Sequence, residues 1–260
     1  MPIIENKLDI IGFRNKIING NFDFWQRGTS FVNTGATNIY TADRWYLSDN
    51  VSGNITLTRQ SFPLGQTAVP GNPRYFLQAQ QFDTFTTVAP SLEQRIEGVS
   101  TLSGKRATLT VWMNTNTGGT QVQPRVYQFF GTGGSPSAPV TVNVPVYAFN
   151  TVWTKYSFTV DVPSVSGKTL GTNNDDYLAV KLELPKTGAY VVMFSSIQLE
   201  EGSVATDFEQ RHLPQELAMC QRYFEKSYPL DVAPGTAAPT GGCGFHGMPY
   251  NTSVFYKEDI

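Results

Sequence analysis

From about residue 15 to 205, short segments alternate apolar with polar residues, and clusters of Gly, Pro, Asn and Ser separate them. Successive side chains of a strand point to opposite faces, so this alternation is the mark of a half-buried strand. "ITLTRQSF" at 55–62 shows it. "RATLTVWMN" at 106–114 puts Ala107, Leu109, Val111 and Met113 on one face, and "KYSFTVDV" at 155–162 does the same with Tyr156, Phe158, Val160 and Val162. "YLAVKLELP" and "AYVVMFSSIQLE" follow, the second almost continuously apolar. "NTNTGG", "GTGGSPSAP", "VPSVSGK" and "GTNND" supply the turns between them. Strands at this spacing with no helical pattern between them predict an all-β antiparallel sandwich or barrel. The long loop "PLGQTAVPGNPR" at 63–74 suits a jelly roll better than a tight meander.

Near residue 206 the pattern changes. "LPQELAMCQRYFEKSY" at 213–228 places Leu213, Leu217, Cys220, Phe224 and Tyr228 on one helical stripe. Pro214 suits the first turn. Glu216 near the start and Arg222 and Lys226 toward the end agree with the helix dipole. The expected organisation is therefore an N-terminal arm (1–14), a jelly-roll domain (15–211) and a helix (212–228). A Pro/Gly-rich connector (229–260) follows, ending in "MPYNTSVFYKEDI", the start of a further strand or module.

Only 15% of the residues are charged, so Thr, Ser, Asn and Gln must supply much of the polar surface. A net charge of −2 without a basic block argues against nucleic acid. No apolar run reaches the ~20 residues that span a bilayer. "MPIIENKLDIIGFRNK" has no uninterrupted apolar region of the kind a secretory leader needs. Cys220 and Cys243 are too few for a disulfide framework and read as free thiols, consistent with assembly in a reducing cytoplasm.

Catalytic motifs are scarce. His212 and His246 are the only histidines, one at the helix entrance and one in the connector, where neither gains the rigid support a general base needs. "GGSPS" lacks the closing glycine of a nucleophile elbow. "SGKT" has Val162 where a phosphate loop needs its first glycine, and "GCGFHG" has no strand before it. Paired carboxylates for glycoside cleavage have candidates in Asp43, Asp83, Glu93, Glu97, Asp175, Asp176, Glu200 and Glu201. Most of these sit in turns or at strand ends, where a solvated carboxylate is the ordinary expectation.

"NGNFDFWQRGTSF" at 19–31 reads as a turn followed by a strand, with Phe22 and Phe24 on one face and Asp23 and Trp25 on the other. Packing under a loop or a neighbouring chain is the favoured role for Trp25. Together with "YTADRWYL", "LEQRIEGVSTLSGKRATLTVWM", "QFFGTGGSPS", "WTKYSFTVDVPSVSGKTLGTNNDDYL", "IQLEEGSVATDFEQR" and "ELAMCQRYFEKSY", the segment resembles a bacteriophage module of tail-fibre and virion-associated proteins. The likeness covers roughly residues 15–228. The module is in turn similar to the jelly-roll carbohydrate-binding modules attached to glycanases. That resemblance implies one structural calcium ion, for which Asp23 and Glu200 (or Glu201) are the candidate ligands, with no other cofactor. The alternative for Asp23 is an exposed carboxylate or a partner of Arg27.

Outward-facing rings are the other candidates, because pyranose C–H faces stack on flat aromatic surfaces. Trp45 and Tyr46 alternate faces, Trp112 has the opposite parity to its apolar neighbours, and Tyr127 and Phe129 share a face opposite Phe130. Trp45, Trp112, Tyr127 and Phe129 are thus candidate carbohydrate contacts, although burial in an oligomer interface would use the same rings. The resemblance implies a non-enzymatic virion protein, a tail fibre, spike or head fibre, assembled in the host cytoplasm as a homotrimer with other virion proteins. It would adhere to bacterial surface polysaccharide. A purely structural connector, with residues 1–14 as its anchor, and a polysaccharide depolymerase are the alternatives.

Overall fold

The structure, a computed structural model, describes residues 13–33, 38–48, 55–82, 89–226 and 234. In chain order the strands are β1 (Ser30–Asn33), β2 (Ile39–Tyr40), β3 (Tyr46–Ser48), β4 (Ile55–Ser61), β5 (Tyr75–Gln81), β6 (Ser91–Glu97) and β7 (Arg106–Thr115). They continue as β8 (Gln121–Phe129), β9 (Val140–Asn143), β10 (Tyr147–Ala148), β11 (Thr154–Asp161), β12 (Tyr177–Glu183) and β13 (Tyr190–Glu201). Sheet I has the order β1-β4-β5-β13-β7-β11. Sheet II has the order β10-β8-β12-β6-β3-β2, with β9 also on β8. All pairings among the described residues are antiparallel. The chain changes sheet repeatedly, at β3–β4, β5–β6, β6–β7, β7–β8 and from β10 through β13, which gives the sandwich its jelly-roll character.

Sequence alternation becomes the core directly. Ala107, Leu109, Val111 and Met113 of β7 are fully buried, facing Leu178, Val180 and Leu182 of β12 and Leu92 of β6. Each buried aliphatic side chain contributes about 1.5–3 kcal/mol of transfer free energy, so this interior is the main stabilising term.

Residues 19–28 are not a strand. Asn19 and Phe22 take positive φ (56° and 58°), so face alternation fails and both Phe22 and Trp25 turn inward, 0% and 3% exposed. The Asn19 side chain shapes the turn: its Oδ1 accepts from Phe24 N, and its Nδ2 donates to Phe24 O and Asp43 O. The Trp25 indole donates to Phe22 O at 2.7 Å and its ring stacks on Phe31, so packing is its role. Gly20 lies against the carbonyl of Ile197, at a β13 bulge where Ser196 has φ 48°; a Cβ at position 20 would collide with that backbone.

Helix α1 (Leu213–Gln221) is shorter than its pattern suggests. Leu213 is exposed, Glu216 and Cys220 are buried, and Phe224 leaves the helix to pack beneath Arg27, whose Cζ is 3.8 Å from the ring centroid. Burial raises the pKa of the Cys220 thiol well above its ordinary value. The arm up to residue 12, Asp83, Tyr228, Cys243, His246 and nearly all of the 229–260 segment lie outside the described residues.

Candidate functional site: the outer face of sheet II

The register of sheet II aligns its outward side chains in rows. Tyr46 (β3), Glu93 (β6), Lys181 (β12) and Arg125 (β8) form one row. Arg95, Ala179 and Tyr127 form the next, and Glu97, Tyr177 and Phe129 the third. Ala179 faces outward yet is 0% exposed, because the longer side chains on either side close over it. The small residue lowers the floor between Arg95 and Tyr127.

Aromatic rings form the walls. Phe129 and Tyr177 lie 4.9 Å apart, Tyr127 and Tyr177 6.2 Å, and Tyr127 and Phe129 are nearly parallel, 13° between planes. Tyr40 and Tyr46 pair at the far side, 5.1 Å apart. Arg95 bridges the two groups, its Cζ 4.7 Å from the centroids of both Tyr46 and Tyr177. Tyr46, Tyr127, Phe129 and Tyr177 are all partly exposed.

At the centre Glu93 is 1% exposed. It accepts from Arg95 Nε at 2.9 Å and Lys181 Nζ at 2.8 Å. Burial works against the Arg95 charge, but the Glu93 carboxylate and its hydrogen bond outweigh that and hold the guanidinium above its ordinary pKa. Tyr46, Tyr127 and Tyr177 have raised pKa values, chiefly from burial, so the hydroxyls are neutral donors and acceptors near pH 7. Arg125 pairs with Glu183 at 2.8 Å and Arg222 with Glu97 at 2.6 Å. Every carboxylate on this face is matched by a cation, which leaves rings and hydroxyls as the groups available to a ligand.

The sequence candidates separate. Tyr127 and Phe129 stand on this face. Trp45 does not: it is fully buried against Phe22, and its indole donates to Asn19 O at 2.9 Å. Its neighbour Tyr46 is the outward residue. Trp112 lies on the outer face of sheet I, between Ser195 and Lys155. Arg95, Tyr177 and Lys181 were missed, and Glu93 was named only as a candidate for paired-carboxylate chemistry. The alternation of "SLEQRIE" and "YLAVKLE" was the signal that could have found them, since Leu92, Gln94, Ile96, Leu178, Val180 and Leu182 all take the opposite face.

Asp23 and Glu200 are not brought together. Glu200, 1% exposed, is held by Arg14 Nε at 3.0 Å, Thr206 Oγ1 at 2.6 Å, Thr206 N and Gln198 Nε2. Asp23 feels Glu216 and Arg74 instead. No group of three or more metal-ligating side chains exists among the described residues. With its oxygens already taken by a guanidinium, a hydroxyl and two N–H groups, Glu200 does not fit a calcium shell with Asp23.

No family model matches the chain, and no curated protein matches it. Several solved structures do, at low identity. A CBM4 carbohydrate-binding module is 14% identical with a TM-score of 0.40, over 71% of this chain and 98% of that one. A sugar-binding protein from Bacteroides thetaiotaomicron, so described provisionally, is 16% identical with a TM-score of 0.46, over 72% and 100%. The enzymatically active domain of tailspike protein 4 of bacteriophage CBA120 is 15% identical with a TM-score of 0.40, over 73% of this chain but 22% of that one. These are distant likenesses of chain path, so the functional reading rests on the sheet II face itself.

Proposed function

We propose that the chain is a non-enzymatic glycan-binding domain of a bacteriophage virion, and that the outer face of sheet II meets the polysaccharide. The observation that carries the glycan reading is the set of four partly exposed rings, Tyr46, Tyr127, Phe129 and Tyr177, fixed around the buried Glu93 and its ion partners Arg95 and Lys181. Rigid rings lose little conformational freedom on binding and offer flat apolar surfaces edged by hydroxyls. Because Arg95, Lys181, Arg125 and Arg222 are each ion-paired within the face, Glu93 being shared by the first two, it favours uncharged pyranose rings. The virion, its other proteins and the bacterial surface as partners follow from the sequence resemblance, and repeated copies in a homotrimer would multiply a weak single-site affinity.

The carboxylates support a binding role over hydrolysis. Glu93, Glu97, Glu200 and Glu201 are ion-paired, Asp43 is bonded to Gln26, and Asp175 and Asp176 accept from Thr132 and Val99 N. Asp23 and Glu216 interact, but Glu216 is locked by Arg211 and Asn19 N, and the hollow between them is only ≈ 10 Å³. No sugar enters that space.

A glycan array with Tyr177→Ala and Phe129→Ala variants tests the reading. Binding is expected to fall about tenfold or more per ring, equivalent to about 1.4 kcal/mol, with folding and oligomeric state unchanged. Variants that change only the oligomeric state, with no glycan bound by the natural chain, would favour the structural connector. Sugar release from capsule would favour the depolymerase.

A further inference from the structure

Of the ten arginines in the chain, eight hold a carboxylate or a backbone carbonyl. The two that do not, Arg59 and Arg74, are neighbours. Among the described residues neither guanidinium has a carboxylate within 4.0 Å or a hydrogen-bonded acceptor. Both lie against one ring: their Cζ atoms are 4.5 and 5.5 Å from the centroid of Tyr75. Arg74 and Tyr75 are the wall between two cavities. The larger, about 310 Å³, opens under the 63–74 loop and is lined by Ser61, Phe62, Leu64 and Asn72 as well. The smaller, about 150 Å³, is lined by Arg59, Asp23 and Trp25.

This loop is built rather than loose. Phe62 N donates to Arg74 O at 3.0 Å and closes its base. Gln66 both donates to Val69 O (2.8 Å) and accepts from Val69 N (2.9 Å), while Val69 is buried. Phe62 is braced from behind by Phe76 and Trp153, with centroids 4.8 and 5.1 Å away. The cavity is therefore a preformed hollow at the lower end of ligand-pocket sizes, with aromatic walls, two uncommitted side-chain hydrogen-bonding groups (Ser61 and Asn72) and an unpaired cation.

We propose that the cavity under the 63–74 loop is a second saccharide site, selective for a sugar residue that carries an anionic group. Tyr75 and Phe62 supply the stacking surfaces, Asn72 and Ser61 meet hydroxyls, and Arg74 holds the anion with Arg59 adding positive potential across the Tyr75 ring. Asp23, on the far side of that wall, offsets part of this potential. The site shares no residue with the face of sheet II, whose Arg95, Lys181, Arg125 and Arg222 are each ion-paired to a carboxylate, so the two surfaces differ in the charge of sugar they accept.

Amide chemical-shift titrations of the full isotope-labelled chain with D-glucuronate, D-glucose and inorganic phosphate test this. Glucuronate is expected to move and saturate amides of residues 61–75, with glucose at least tenfold weaker. The Arg59→Gln/Arg74→Gln double variant, with an unchanged spectrum elsewhere, is expected to lose glucuronate at least tenfold, and Phe62→Ala to weaken it. Tyr177→Ala is expected to leave it unchanged, which separates this site from the sheet II reading. Equal binding of glucose, or full affinity in the double variant, would overturn the proposal. Phosphate binding as tightly as glucuronate and indifferent to Phe62→Ala would reduce the cavity to a simple anion site and overturn it as well.

Discussion

The Asp23 carboxylate titrates at about 6 because burial strips its hydration and the Glu216 charge adds a repulsion that Arg74 only partly offsets. In the unfolded chain it returns to 3.8. Between those values the folded state holds a proton that the unfolded state has released. The stability tied to this proton is therefore complete below about pH 4 and is lost as pH rises through about 6, a difference on the order of 2–3 kcal/mol. Asp23→Asn removes the charge and keeps the shape. It is expected to melt above the natural chain at pH 7 and higher, and to match it near pH 4; thermal melts across that range check it. A stabilisation indifferent to pH would mean that charge burial is not the cause.

At the scale of the strand, β6 carries the candidate site on one side and the core on the other. Leu92 faces the interior while Glu93 and Arg95 face out, and the buried Glu93 is ion-paired with both Arg95 and Lys181. Glu93→Ala leaves two cations without their anion, one of them already stripped of much of its water. Breaking such a cluster costs about 3 kcal/mol, the lower end for buried pairs because Lys181 and Arg95 keep some solvent. Urea unfolding is expected to show that loss, and glycan binding to fall with it as Arg95 leaves its place between Tyr46 and Tyr177. Unchanged stability would make the cluster a solvated surface pair. The same strand shows what the sequence could reveal. Long strands such as β7 and β11 were legible because their buried faces are uninterrupted. The charged letters of "SLEQRIE" hid β6, and positive φ at Asn19 and Phe22 broke the alternation that assigned Asp23 and Trp25 to one face. Parity alone put Tyr127 and Phe129 on one face, and the structure turns that face outward on sheet II. Alternation could have put Tyr177 and Arg95 on the outward faces of their strands, but only cross-strand register sets them beside Tyr127 and Phe129.

Across the whole molecule, the two ends of the described chain are locked into a single unit. Residues 15–19 run along β13, where Lys16 N donates to Leu199 O and the Asn15 side chain bonds Leu199 N and Ile197 O. From sheet II, Gln94 bonds both Ile18 N and Ile18 O at 2.7 Å. From the C-terminal side, Glu209 accepts from Phe13 N and Asn15 N, Arg211 donates to Asn15 O and Ile17 O, and Glu216 of α1 accepts from Asn19 N. Arg211, with only 5% of its side chain exposed, is also the ion partner of Glu209 and Glu216. A boundary at residue 211, natural from the composition, therefore cuts through a polar network that ties residues 13–19 to Glu209, Arg211 and Glu216. Arg211→Ala leaves two sequestered carboxylates near Asp23 and frees two carbonyls, a loss of about 3–5 kcal/mol and a drop of about 10 °C in Tm. If the ends form one unit, hydrogen exchange should rise together in residues 13–22 and in α1, while β7 and β12 stay protected. Faster exchange in α1 alone, with residues 13–22 unchanged, would mean that the helix is an independent appendage and that the sandwich closes without it.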